Sequence, residues 1–329
     1  MRQYSYIAGI IGLGNIAYKM DLTKREERLW THIETYKASI HIDKIIAYEQ
    51  NHKAIQEFKK HHPDIFVTTS FKEFIEKKPI IVSICTPTYT HFSFIDELIK
   101  SGIKKIWCEK MLCDSYEEAK KIKEICSDNE ITLFINYMRR WDQLFLKVKQ
   151  HLDNNDIGKV YTVIAKTSTA LKMQSSHMID LLIWYFGTPE LIHSDIQKDY
   201  IRSVHGKDDP GGTLYLSFKE YDCLCLLHAR SISPFNYNFE LEILGQTGRI
   251  IVTTEEELLL QKFSNLVKST EKHKSLETHS RFQSQSNNNC RLTEQLNELV
   301  KSKGFNKKSL SMIEDSITAL KLYEKLKLI

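Results

Sequence analysis

The stretch "IIGLGNIA", residues 10–17, decides the fold. It follows the apolar run "YSYIAGII" and opens a stretch of helical spacing, so its glycines fall where a strand hands over to a helix. The pattern is G-x-G-x-x-A. Gly12 permits the tight turn and Gly14 lets the backbone approach a pyrophosphate. Ala17 keeps the helix close to the sheet, with the phosphate on the helix N-terminus at Asn15 and Ile16. Strand before and helix after make this a dinucleotide-binding pattern rather than a chance pair of glycines. The acid that closes such a site on the adenosine ribose follows the second strand, and "IIAYE" supplies Glu49. Glu49 lies further on than the usual ~20 residues, which requires an enlarged first crossover. A carboxylate there repels a 2′-phosphate and favours NAD over NADP. The plain alternative is a solvated Glu at a strand end.

Outward from this stretch, short apolar runs alternate with longer amphipathic ones as far as about residue 137. "DKIIAYE", "FVTT", "PIIVSICT", "IKKIWCEK" and "ITLFINY" read as strands, with helical stretches such as "NHKAIQEFKKHH", "HFSFIDELIKSG" and "DSYEEAKKIKEICSDN" between them. Such alternation implies right-handed crossovers and a parallel, doubly wound sheet. The second half changes character. After a helix near "WDQLFLKVKQHLDNN" come "KVYTVIAKTS", "TLYLSF", "DCLCLLHARS", "FELEILG", "RIIVTT" and "ELLLQKF", joined by turn signals such as "DDPGG" and "GQTG". That run predicts an antiparallel sheet interrupted by one apolar helix, "SSHMIDLLIWYFG". The polar stretch 265–292 reads as a loop or poorly ordered excursion, and a last helix at about 308–327 packs back on the body. The expected division is a dinucleotide-binding domain, 1–137, and a substrate-binding and oligomerisation domain, 138–329.

Composition narrows the class. At 329 residues, 42% hydrophobic and 27% charged, the chain is globular and long enough for two cores. A net charge of +4 is mild, and its lysines alternate with acids on helical faces, so no nucleic-acid stripe is expected. No apolar run reaches membrane-spanning length, and the first strand-like run begins at about Tyr4, so the chain reads as soluble, unsecreted and cytoplasmic. The seven cysteines are scattered without zinc-site spacing, and Cys223 and Cys225 read as packing thiols; no metal is expected.

Two further loops carry chemistry. "CTPTYTH", residues 85–91, follows the fourth strand, where open parallel sheets bind ligands. Pro87 stiffens it, Thr86 and Thr88 can hydrogen-bond ribose or phosphate, and His91 joins the cofactor set. "IKKIWCEKMLC", residues 103–113, places Glu109 and Lys110 at the carboxyl end of the next strand. A carboxylate and an ammonium between apolar runs must be paired, titrated or used.

Taken in order, "GLGNIA", "CTPTYTH", "GIKKIWCEKMLC", "INYMRRW", "SSHMIDLLIWYFG" and "LEILGQTGRIIV" resemble the Gfo/Idh/MocA family, NAD(P)-dependent sugar oxidoreductases that include glucose-fructose oxidoreductase and inositol dehydrogenase. The resemblance implies a Rossmann domain followed by an α/β domain with a large, mainly antiparallel open sheet used for homo-oligomerisation as a dimer or tetramer. It aligns Lys110 with the catalytic lysine of the family's Glu-Lys-Pro signature and Glu109 with the acid beside it near the cofactor. Met111 stands in place of the proline. His177 and Asp180 match the His-x-x-Asp of the substrate helix, and Asn136 lies near the nicotinamide. Many polyol-oxidising members carry an Asp four residues before this His; here Met173 stands there, followed by Gln174, so an Asp-His-Lys triad is not assumed.

The substrate helix also reads on its own terms. Ser175 or Ser176 caps its start, Gly187 ends it, and apolar residues nearly encircle it, so it is buried. His177 and Asp180 share one face of its first turn. The positive helix end disfavours imidazolium, which helps His177 act as a base, while Asp180 opposes that bias and orients the ring. Arg139 or Arg140 can meet a phosphate or carboxylate, or form surface ion pairs. His32, in "WTHIETY", reads as a plain helix residue or as one approaching the crevice from the enlarged crossover.

These features predict hydride transfer between nicotinamide and a ring carbon of a sugar, sugar derivative or nucleotide sugar. Substrate contacts would come from Lys110, Arg139, Gln174, His177 and Asp180. Lys110 and His177 share the proton chemistry, either one serving as base. Two alternatives stand beside this one: a redox-neutral NAD-using enzyme that works through a transient ketone, in epimerisation or glycoside cleavage, and a non-catalytic dinucleotide-dependent sensor on the same fold.

Overall fold

The computed structural model describes residues 6–22, 29–168, 170–204, 207–229, 238–264, 274–284 and 291–328. The chain forms two compact units, 1–141 with 289–320, and 142–288 with 321–329. This division departs from a single break at residue 137, because a C-terminal segment returns to the first unit.

The first unit is built on six strands, β1 (Tyr6–Ile11), β2 (Ile42–Tyr48), β3 (Phe66–Thr68), β4 (Ile81–Ile84), β5 (Lys105–Cys108) and β6 (Thr132–Ile135). Their spatial order is β3-β2-β1-β4-β5-β6, and every neighbouring pair is parallel. Strands β4 and β6 are buried along their length, which is why they read as apolar runs rather than alternating ones. Between them lie α1 (Met20–Leu22), α2 (His32–Ala38), α3 (His52–His61), α4 (Phe71–Glu76), α5 (His91–Lys100) and α6 (Tyr116–Asp128). The long helical stretch expected after the glycines is broken into pieces: a π-turn at Asn15–Lys19, then α1, then α2 capped by Thr31, whose hydroxyl accepts from Glu34 N. Residues 23–28 lie outside the described residues.

Successive strands are tied at one edge. Cys85 N donates to Ile11 O at 2.8 Å, Glu109 N to Ile84 O at 3.0 Å and Asn136 N to Cys108 O at 2.7 Å. The residues just past β1, β4, β5 and β6 therefore stand side by side on the carboxyl rim, where open parallel sheets bind ligands.

The second unit holds α7 (Gln143–Asp153), β7 (Val160–Thr167), α8 (Ser175–Phe186), β8 (Pro189–Val204), β9 (Lys207–Phe218), β10 (Cys223–His228), β11 (Phe239–Gly245), β12 (Gly248–Thr253), β13 (Glu257–Phe263) and β14 (Leu276–Gln283). Its eight strands run β14-β13-β12-β11-β7-β10-β9-β8, antiparallel except for the β7–β10 pair. Two expectations change here. "DDPGG" is part of β9 rather than a turn: a Cβ on Gly212 would lie 2.8 Å from Asp195 O, so glycine serves the close approach of β9 to β8. Within 265–292, residues 276–283 form edge strand β14, almost wholly exposed, and polarity on both faces hides it from the alternation rule. The rest of that stretch, apart from 274–275, 284 and the start of the next helix, lies outside the described residues. Two helices follow, α9 (Arg291–Lys301) and α10 (Lys307–Lys325). Gln295 Nε2 donates to Ile135 O at 3.0 Å, and Ser309 Oγ bonds Leu133 O at 2.9 Å, which attaches both helices to β6. Cys223 and Cys225 are buried on one face of β10, and burial pushes the Cys223 thiol up to about 11. No described helix is long and apolar enough to cross a membrane.

Candidate active site

The glycine loop begins the site in the first unit. Gly12 has φ +88°, and a Cβ there would meet Thr86 Cγ2 at 2.7 Å and the Cys85 carbonyl carbon at 3.2 Å. Only glycine takes that conformation this close to the neighbouring strand end. Its N–H donates to Tyr48 O at 2.9 Å, which ties the loop to β2. At Gly14 the nearest atom to a hypothetical Cβ is Cys85 O, 3.9 Å away, so the space above the loop is open where a pyrophosphate would approach. Asn15 and Ile16 open the π-turn beyond it. Glu49 ends β2 as expected: Oε2 accepts from Leu13 N at 2.9 Å and Oε1 from Asn51 N at 2.8 Å. The carboxylate is thus fixed against the glycine loop, with lone pairs left on each oxygen for sugar hydroxyls.

The 85–91 loop is held from within. Thr90 Oγ1 lies 2.6 Å from Thr86 Oγ1 and 2.7 Å from Pro87 O. Thr88 sits in the short turn Thr88–Thr90. His91 is fully buried, with Nδ1 2.8 Å from Met111 O and Nε2 2.9 Å from Thr86 O. Burial lowers its pKa against the pull of those carbonyls. Both ring nitrogens are engaged by backbone, so His91 braces the Thr86 and Met111 loops against each other.

Glu109 is the centre of the rim. It is 8% exposed, and its Oε1 receives Asn136 Nδ2 at 2.5 Å and His32 Nε2 at 3.0 Å, while Lys110 N lies 3.3 Å from Oε2. Burial pushes its pKa up, but the hydrogen bonds and charges of its partners, His32 foremost, outweigh that and hold the carboxyl below its ordinary range. Glu109 is therefore a pinned carboxylate. Lys110 follows it, half-buried, and the Lys110–Met111 peptide is cis. Asn136 is 2% exposed, and its Oδ1 is buried without a hydrogen-bond partner. Of the two readings open for His32, a plain helix residue or one reaching the crevice from the enlarged first crossover, the structure has the second, with its Nε2 on Glu109. Arg139 is buried, and Arg140 is buried with Nη2 2.8 Å from Asp315 Oδ2, so Arg140 is an internal ion pair rather than a ligand arm.

In the second unit, α8 ends at Gly187 with φ +82°, as expected, but starts differently. Its N-cap is Gln174, without a side-chain cap, and Ser175 and Ser176 lie within the first turn. Ser175 Oγ instead lies 2.5 Å from Thr167 Oγ1, and the buried Asp209 carboxylate accepts Lys172 N at 2.8 Å and Met173 N at 2.9 Å just ahead of the helix. Asp209, on β9, thus holds the two residues ahead of the N-cap, and no side chain caps the helix itself. Gln174 Oε1 accepts from Ser168 Oγ at 3.1 Å, and its Nε2 lies 3.4 Å from Asn238 O. His177 is half-buried and Asp180 2% exposed, one turn apart on this helix. Residues 230–237 lie outside the described residues.

The residues of the first unit fit a dinucleotide: an open cradle over Gly14, a fixed acid at the end of β2, and an orphaned amide oxygen on Asn136. Fold and rim together define a dinucleotide-binding Rossmann unit joined to an α/β unit with a large antiparallel sheet. Residues 7–137 match the Gfo/Idh/MocA model, an oxidoreductase family with an NAD-binding Rossmann fold. The chain is 27% identical over 192 residues to scyllo-inositol 2-dehydrogenase (NAD(+)) of Bacillus subtilis, an alignment covering 53% of this chain and 55% of that protein. The chain spans about half the length of the curated relatives it matches, 47% in the case of an uncharacterized oxidoreductase of Schizosaccharomyces pombe. Among solved structures it resembles a putative NADPH-dependent oxidoreductase from Desulfitobacterium hafniense, with TM-score 0.75, 18% identity, and coverage of 96% of this chain and 92% of that one. It also resembles the WlbA dehydrogenase from Bordetella pertussis, solved with NADH and UDP-GlcNAcA, with TM-score 0.71, 14% identity, and coverage of 97% and 94%. At these identities the structural likeness establishes the fold.

Proposed function

We propose that the protein is an NAD(P)-dependent oxidoreductase acting on a ring carbon of a sugar, sugar derivative or nucleotide sugar. The observation that carries this is the single rim holding Gly12, Gly14, Thr86, Glu109, Lys110 and Asn136, with Glu49 fixed against its glycine loop. Asn15 and Ile16 would receive the pyrophosphate, Glu49 the adenosine ribose, and Thr86 and Pro87 would flank the dinucleotide. Glu49 favours NAD, because its fixed charge opposes a 2′-phosphate. When bound, the nicotinamide supplies hydride chemistry.

Lys110 then polarises the substrate oxygen and stabilises developing negative charge, and His177 accepts the hydroxyl proton. Asp180 orients His177, and Arg139 and Gln174 are substrate contacts. The uncovered face of the eight-stranded sheet supports self-association. Tyr215, Leu226, Ile164, Glu242, Ile251 and Leu259 form one register row across it, and Leu224, next to that row, is 57% exposed. A mainly apolar row of that width, with Glu242 paired to Arg249 as its one charge, is suited to a second copy of the same face.

The test is reduced-nicotinamide absorbance with NAD and NADP against a panel of inositols, sugars and nucleotide sugars. Turnover on one class, faster with NAD, supports the proposal. No substrate-dependent change in either cofactor across the panel, with cofactor bound, would count against net oxidation.

A further inference from the structure

Behind the Glu109–Lys110 turn, residues distant in the chain form one buried hydrogen-bonded line. His32, Tyr36 and Ser83 are fully buried. Tyr36 Oη lies 2.6 Å from Ser83 Oγ, Ser83 Oγ 2.8 Å from His32 Nδ1, and His32 Nε2 3.0 Å from Glu109 Oε1. The imidazole packs on Trp107 with ring centres 4.2 Å apart, which fixes its plane. A carboxylate only accepts, so Nε2–H must donate to Glu109. In the neutral ring that proton leaves Nδ1 to accept from the Ser83 hydroxyl, and Ser83 Oγ then accepts from Tyr36. Every proton in the line is used once, and each points toward Glu109.

The same Glu109 oxygen takes the Asn136 amide nitrogen at 2.5 Å. That bond decides the amide's orientation: its nitrogen faces the carboxylate, and Oδ1 is left as a buried acceptor without a partner. An orphaned acceptor at 2% exposure on a ligand-binding rim needs a donor. We propose that His32 is a positioning residue: through Glu109 it sets Asn136 so that Oδ1 accepts from the carboxamide N–H of the nicotinamide. The inference rests on the dinucleotide assignment above. It also gives the enlarged first crossover a task, since α2 delivers both His32 and Tyr36.

The test compares NADH with ADP-ribose, which shares the adenosine and pyrophosphate but lacks nicotinamide. Dissociation constants are measured by calorimetry on the full chain, with thermal midpoints alongside. His32→Leu should weaken NADH about tenfold, the scale of one lost hydrogen bond to a charged group, and move ADP-ribose less than about twofold. His32→Gln, whose amide reaches Glu109, should recover NADH binding to within about threefold. His32→Asn, whose amide stops short of Glu109, should behave like the Leu variant while keeping a polar side chain. Equal weakening of both ligands, no change in either, or no difference between Gln and Asn overturns the positioning role. A wild-type chain that binds neither ligand overturns the dinucleotide assignment instead.

Discussion

The two sheets place their loops by opposite rules. In the six-stranded unit every strand is parallel, so every strand's last residue reaches the same edge, and the bonds from Cys85, Glu109 and Asn136 to preceding strand ends stack those residues in a row. In the eight-stranded unit the strands mostly alternate in direction, so consecutive loops fall at opposite ends. Both units bury polar groups: the first lines up His32, Ser83, Glu109 and Asn136 at its rim, and the second buries Thr167, Ser175, Asp180 and Asp209 around α8. A parallel sheet turns scattered short motifs into one site; a mainly antiparallel one spreads its loops between two ends.

The largest effect should come from the lysine on the parallel rim. Lys110→Met is expected to lower turnover by about 100-fold or more while leaving NADH affinity within about threefold, as measured by steady-state rates and calorimetry. Next is the backbone of the same rim. Gly12→Val should abolish measurable dinucleotide binding and cost about 2 kcal/mol or more of stability in urea unfolding, because a side chain at φ +88° meets Thr86 and Cys85. Ser83→Ala should cost about 1–3 kcal/mol, since Tyr36 and His32 each lose their partner inside the fold.

The smallest effect concerns acid. Folded Glu109 keeps its charge to lower pH than the unfolded chain does, so between those two values the unfolded chain binds more protons and stability falls as pH falls. Asp156 is lowered in the same direction, chiefly by its hydrogen bond to His151, but at a partly exposed site. Added salt should flatten the part of the acid slope due to Asp156 and leave that of Glu109, and Glu109→Gln should remove the latter, as read by thermal unfolding across pH.

The same contrast explains what the sequence disclosed. Gly12, Gly14, Glu49, Thr86, Glu109 and Asn136 were legible because each follows an apolar run, and parallel topology alone brings such ends together. His32 was half legible: the long first crossover pointed it toward the crevice, but nothing in a helix of ordinary spacing announces a partner 77 residues away. In the second unit most strands with alternating burial were legible, "TLYLSF" of β9 among them, while exposed β14, the long β8 and the "DDPGG" start of β9 were not. Helix α9 carries Leu292, Leu296 and Leu299 at helical spacing, so its signal was present but overshadowed by the polar stretch before it. The start of α8 was misread because the Ser175 hydroxyl turns to Thr167 on β7 instead of capping the helix.

The most direct test of the account is a single-turnover experiment with bound NAD and a substrate drawn from the sugar panel. The account predicts a rise in reduced-nicotinamide absorbance within the first turnover, whether or not net NADH accumulates, and its loss in Lys110→Met. Substrate converted at full rate with no such rise would contradict it.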